Sequence, residues 1–160
     1  MSGAIAFAMQ LCDPRGRCDR KGFLFAAGIL LAVQAVAALI IWVAGRSLDG
    51  STAAAVSVVF CWCGSAILSK RLHDIGRSAW CLPLGVLAWF AAAIAVAVAV
   101  AVTAGPAVLE PGAAGYWATF SAMLLPLALV VLWLHMAAGE VGENRFGPPP
   151  VAGFSMPAAA

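Results

Sequence analysis

The sequence predicts an all-α polytopic membrane protein: a bundle of four transmembrane helices with both termini in the cytoplasm. Three observations predict it. First, 64% of the 160 residues are hydrophobic and 10% are charged, with a mean hydropathy of +0.99. A soluble domain is roughly 45–50% apolar and about 25% charged. Nine Lys/Arg and seven Asp/Glu cannot cover a soluble fold of this length. That excludes a water-soluble globular enzyme, a disordered chain and a nucleic-acid binder. Second, four uncharged stretches each suit a ~30 Å hydrocarbon core, which takes about 20 residues of helix. Third, the basic residues gather at alternate ends of those stretches.

Residues 1–22 read as a cytoplasmic N-terminal segment. Within it, Ala4 to Leu11 is apolar but lacks a basic lead and a small-residue cleavage site, so it does not read as a signal peptide. It reads as a short interfacial helix, with Ile5, Phe7, Ala8 and Leu11 toward lipid or protein. The spanning region covers residues 23–138. Its first span, about 23–44, lies between Lys21 and Arg46 and has Gln34 as its one strongly polar side chain. The second, about 51–68, lies between Asp49 and Lys70. Eighteen residues at 1.5 Å each give roughly 27 Å, so it stands nearly upright. Its Ser57, Gly64 and Ser65 suit close helix packing in lipid.

The third span, about 80–103, lies in the uncharged gap between Arg77 and Glu110. Ile94 to Val102 alternates Ala with Val or Ile, a period of two that suggests a strand. Both phases are apolar, however. An unpaired strand in lipid leaves its backbone groups unsatisfied at several kcal/mol each. The stretch is therefore a helix, ended by Gly105-Pro106. The fourth span, about 116–138, contains Pro126, which predicts a kink. Trp117 and Trp133 lie toward its ends as interfacial anchors. Residues 139–160 form a cytoplasmic tail whose Pro148-Pro149-Pro150 reads as extended and weakly ordered.

Eight of the nine Lys/Arg fall in the N-terminal segment, the loop after the second span and the C-terminal segment. The opposite face has only Arg46, with Asp49 and Glu110. The positive-inside rule places the richer face in the cytoplasm. The five cysteines, Cys12, Cys18, Cys61, Cys63 and Cys81, are an odd set that argues against a disulfide framework. Cys61 and Cys63 point about 200° apart on a helix and share no metal-binding face. No metal and no cofactor are expected.

The polar residues collect in three blocks on the cytoplasmic face. These are Arg15-Gly16-Arg17-Cys18-Asp19-Arg20-Lys21, Lys70-Arg71-Leu72-His73-Asp74-Ile75-Gly76-Arg77-Ser78, and Gly142-Glu143-Asn144-Arg145-Phe146-Gly147-Pro148. Together with Trp80 they resemble domain-of-unknown-function family 805, small four-helix inner-membrane proteins of bacteria, over roughly residues 13–150. The sequence departs from the family pattern at Gly22, Cys81 and Pro149. The resemblance implies a location and a topology but no activity.

Read physically, Arg71 and Asp74 are three apart and share a helix face. Asp74 is placed to sit between Arg71 and Arg77, or to pair with Arg17 or Arg20 across the cluster, through charge-assisted hydrogen bonds. One reading is an ion-pair lock that fixes the loop. Another is recognition of lipid phosphates, where each basic residue is worth about 1 kcal/mol near an anionic leaflet. His73, beside Asp74, invites a general-base reading. Ser69 and Ser78 offer no recognisable nucleophile context, so a hydrogen-bonded structural histidine is the better expectation. His135, near the cytoplasmic end of the fourth span, makes only a weak metal or proton-relay pair with it. Gly76 and Gly142 are expected to end helices or supply positive φ, and Asn144 to bridge backbone groups in a turn. Trp80 and Phe146 suit the headgroup level.

The expected role is a non-enzymatic structural or interaction module of the bacterial cytoplasmic (inner) membrane. Its cytoplasmic cap comprises Arg17, Arg20, Lys21, Arg71, His73, Asp74, Arg77, Ser78, Trp80, Asn144 and Arg145. That cap is expected to contact membrane lipids or a protein partner, including a second copy of the chain, and no nucleic acid. A transporter or channel, acting as an oligomer, is weakened by the lack of ionisable residues within the spans. An enzyme acting on lipid headgroups would use His73 and Asp74 as acid and base.

Overall fold

The computed structural model describes residues 9–45 and 50–151 and the backbone of 154–155. Most of the predicted interfacial helix (residues 4–8) lies outside the described residues, as do Arg46 and Asp49. Residues 9–12 are helical. The elements that follow are β1 (Arg17–Cys18), α1 (Arg20–Val43), α2 (Gly50–Asp74), α3 (Cys81–Ala104), a 3-10 turn (Pro106–Leu109), α4 (Tyr116–Met136) and β2 (Phe154–Ser155). The protein is all-α, and among the described residues four helices are long and apolar enough to cross a membrane.

The chain divides into two units. One holds residues 1–79 and 137–160, the other Trp80–Met136. In the first, α1 and α2 form a hairpin. In the second, α3 and α4 form another, with the Trp89 indole donating to the Met123 carbonyl at 2.8 Å. The helix α3 has no buried residue. Wholly apolar helices with so little covered surface need lipid as their solvent, and a helix satisfies its own backbone there. The alternating Ala/Val stretch lies inside α3. That helix ends at Ala104 before Gly105 at φ 90° and Pro106. The helix α4 continues through Pro126.

The second helix runs on past the predicted 51–68 span. It has 25 residues and extends to Asp74. At 1.5 Å per residue that is about 37 Å, longer than a ~30 Å core. The last turn and a half therefore carries polar residues beyond the apolar stretch. Lys70, Arg71 and Asp74 do not stop the helix because all three are buried against partners outside it. A Schellman motif ends it. Gly76 N–H donates to the His73 carbonyl at 3.1 Å and Arg77 N–H to the Leu72 carbonyl at 2.8 Å, with Gly76 at φ 73°.

The tail is more tied than the triple proline suggests. Its β2 pairs antiparallel with β1, Arg17 opposite Ser155 and Cys18 opposite Phe154. Two residues of pairing leave no periodic signal in the sequence. The N-terminal segment is also held. The Trp62 indole donates to the Cys12 carbonyl at 2.9 Å, Lys70 donates to the Gln10 carbonyl, and the Cys12 and Cys63 sulfurs lie 3.1 Å apart. Diamide is expected to close a Cys12–Cys63 disulfide, the two thiols giving up two hydrogens to the oxidant. A Cys61→Ala change leaves that link intact. A digest analysed by mass spectrometry that lacks the Cys12–Cys63 peptide pair would contradict this placement.

Candidate functional site

The site grows from the extension of α2. One turn separates Arg71 from Asp74, so their side chains meet on one face: Arg71 Nη1 donates to Asp74 Oδ2 at 2.5 Å. The other carboxylate oxygen takes Arg17, with Nε at 3.2 Å and Nη2 at 3.1 Å from Oδ1. Both guanidinium side chains are fully inaccessible, and Asp74 is only 4% accessible. Of the pairings left open by the sequence, the structure selects Arg71 with Arg17. Arg77 is exposed and takes no part in the pair. The Schellman turn explains this, because Gly76 breaks the helical spacing before Arg77.

A buried arginine needs acceptors for all of its donors. Arg17 finds them on the C-terminal segment. Its Nη1 donates to the Gly142 carbonyl at 2.6 Å and the Gly147 carbonyl at 3.3 Å, and its Nη2 to the Glu140 carbonyl at 2.5 Å. Arg71 Nη2 donates to the Ala137 carbonyl at 2.5 Å and Nη1 to the Cys18 carbonyl at 3.4 Å. The Glu140 N–H in turn donates to the Asp74 carbonyl at 2.8 Å. Three sequence blocks thus close around Arg17 and the Asp74 carboxylate, a clasp joining the N-terminal segment, the end of α2 and the tail. Arg20 lies on its rim, exposed, with Nε on the Ala137 carbonyl at 2.8 Å.

His73 and Asn144 finish the clasp. The Gly16 carbonyl can only accept, so the His73 Nδ1 at 3.1 Å carries the proton. The imidazole stacks on Phe146 with ring centres 3.9 Å apart and 9° between planes, and the Arg145 guanidinium lies 4.6 Å from that same phenyl ring. Asn144 Nδ2 donates to the His73 carbonyl at 3.0 Å and to Glu140 Oε2 at 2.6 Å. Its Oδ1 accepts from the Phe146 N–H at 2.9 Å, the expected turn. Lys21 is exposed, Ser78 half-buried. Trp80 is exposed and belongs to the second unit.

Several contributors are not apparent from the sequence blocks alone. Asp19 caps α1, its Oδ1 accepting from the Gly22 N–H at 2.7 Å. An aspartate just before a helix is a recognisable cap signal. Gly139 lies so close to Asp74 that a Cβ would stand 2.1 Å from Oδ2, a packing demand with no sequence signature. Gly142 does not supply positive φ. It contributes a carbonyl to Arg17. Burial pushes the Cys18 thiol up to about 12, so it stays protonated and unreactive at neutral pH. Among the described residues, no cluster of three or more His, Cys, Asp or Glu side chains is arranged to hold a metal.

The profile of a protein family of unknown function, DUF805, matches residues 11–148, which spans all three blocks of the clasp. The chain belongs to the DUF805 family. It is similar to YiiR, an uncharacterized protein of Escherichia coli K12, at 33% identity over 138 residues, covering 83% of this chain and 82% of the relative. YiiR of E. coli O157:H7 matches with the same figures. No solved structure matches. In this DUF805 chain the matched region begins before the clasp's first arginine and ends just after the Asn144–Gly147 turn.

Proposed function

We propose that the chain is a non-enzymatic module of the bacterial inner membrane, with both termini in the cytoplasm and a cytoplasmic cap that meets lipid headgroups. The observation that carries this is the inward closure of Arg17, Arg71 and Asp74. Their charges and donors are spent on one another and on backbone carbonyls. His73 is likewise occupied, by a carbonyl and a stacked ring. The groups on which an acid–base mechanism would depend are thus engaged in contacts of the clasp, which supports a structural role for them.

The outward-facing charges include Glu140 and Glu143, but basic side chains predominate: Arg15, Arg20, Lys21, Arg77 and Arg145 are exposed. Several flank the ends of apolar helices, where a bilayer surface lies. Positive charge there favours the cytoplasmic leaflet and its anionic lipids. A photoreactive residue placed at Lys21, Arg77 or Arg145 in living cells is expected to capture lipid. Capture of one discrete protein instead would replace lipid with a protein partner. No adduct at all three positions would overturn the proposal.

A further inference from the structure

A cleft of about 450 Å³ opens beside the clasp. Its floor is the closed Arg71–Asp74 pair, and its walls include Asp19, Arg20, Lys21 and Glu140. The wall charges differ from the floor in one respect. Among the described residues no carboxylate pairs with Arg20 or Lys21, and no cation pairs with Asp19 or Glu140. Asp19 uses Oδ1 as a helix cap, and Glu140 uses Oε2 on Asn144. Two cationic and two anionic residues therefore line one cleft with no ion pair between them.

Position adds to charge. Arg20 and Lys21 open α1, directly before its apolar run. The outer side of that run is uncovered, with Leu24 and Phe25 about 60% exposed. A lipid with acyl chains along α1 would hold its headgroup at this cleft. Its phosphate would meet Arg20 and Lys21, where charge-assisted hydrogen bonds are strongest. The two carboxylates would then lack only a cation. A glycerol headgroup supplies none. A choline group supplies a cation with no N–H to donate. A primary ammonium supplies both charge and donors.

Resting on the headgroup-contact reading above, we infer that this cleft is a binding site for a zwitterionic lipid headgroup of the phosphoethanolamine type. Native mass spectrometry of the full chain, purified in detergent and given phosphatidylethanolamine, phosphatidylcholine and phosphatidylglycerol in equal amounts, tests it. The ethanolamine lipid is expected to form adducts about tenfold more readily than the other two. Glu140→Gln should reduce that preference to within about twofold of the glycerol lipid. Arg20→Gln with Lys21→Gln should remove adducts of all three. The Cys12–Cys63 link reports folding of each variant.

Equal adducts of the three lipids on the unaltered chain would overturn the site without recourse to any variant. Displacement of the lipid by an equal concentration of soluble O-phosphoethanolamine would assign the cleft to a free phosphate ester and overturn the lipid source. Lipid capture from Lys21 in cells, without an ethanolamine preference, would remove this site and leave the cap's membrane contact standing. No lipid capture from any cap position would remove both.

Discussion

Replacing Asp74 with alanine is expected to destabilise the protein by about 3–5 kcal/mol, the cost of leaving a buried ion pair without one partner. Two guanidiniums would remain in a site that water does not reach. Neither can shed its charge, because arginine stays protonated in proteins. The loss is a large fraction of the 5–15 kcal/mol that holds a typical domain folded. Asp74→Asn should fall between, since its amide oxygen still accepts from one arginine while its NH2 faces the donors of the other. Titrating the detergent-purified protein with sodium dodecyl sulfate, followed by circular dichroism, reads both changes. An unfolding midpoint unmoved by Asp74→Ala would show that the carboxylate does not hold the cap together.

Exchanging Arg17 for lysine should cost about 2–3 kcal/mol although the charge is kept. One ammonium cannot span Asp74 and the carbonyls of Glu140, Gly142 and Gly147 as the guanidinium does. The orphaned carbonyls all lie on the C-terminal segment, so this change should also speed proteolysis there. Arg20→Lys is the matched control. Arg20 is exposed and holds one carbonyl through Nε, so its replacement should stay within about 0.5 kcal/mol. Equal effects of the two lysine substitutions would show that charge rather than fork geometry matters at position 17.

The spans were legible in the sequence because each depends only on local composition. A run of 20 or so apolar residues has one stable form in lipid, whatever its neighbours do. The end of α2 was not legible for the opposite reason. Lys70, Arg71 and Asp74 look like an exit from the membrane, and only their distant partners allow the helix to continue. The choice among Arg17, Arg20 and Arg77 for Asp74 was equally open. It turns on Gly76, whose positive φ takes Arg77 off the helix, and on the path of a tail more than sixty residues away in sequence. Gly139 is the extreme case. Its need for a bare Cα comes from the carboxylate packed against it, which no local pattern records.

The clasp is tested most directly by the coupling free energy between Arg17 and Asp74. Arg17→Met, Asp74→Leu and the double variant form the cycle, read by the same detergent titration. Asp74 also holds Arg71, so a closed structural pair predicts that the double variant is more stable than Asp74→Leu alone, with one buried guanidinium left unpaired rather than two, and that the two single losses do not add. Their coupling should then lie toward the upper end of the roughly 0.5–3 kcal/mol seen for contacting residues. Single losses that simply add, to within about 0.3–0.5 kcal/mol, would mean that the two side chains stabilise the cap independently and that the clasp does not exist as a unit.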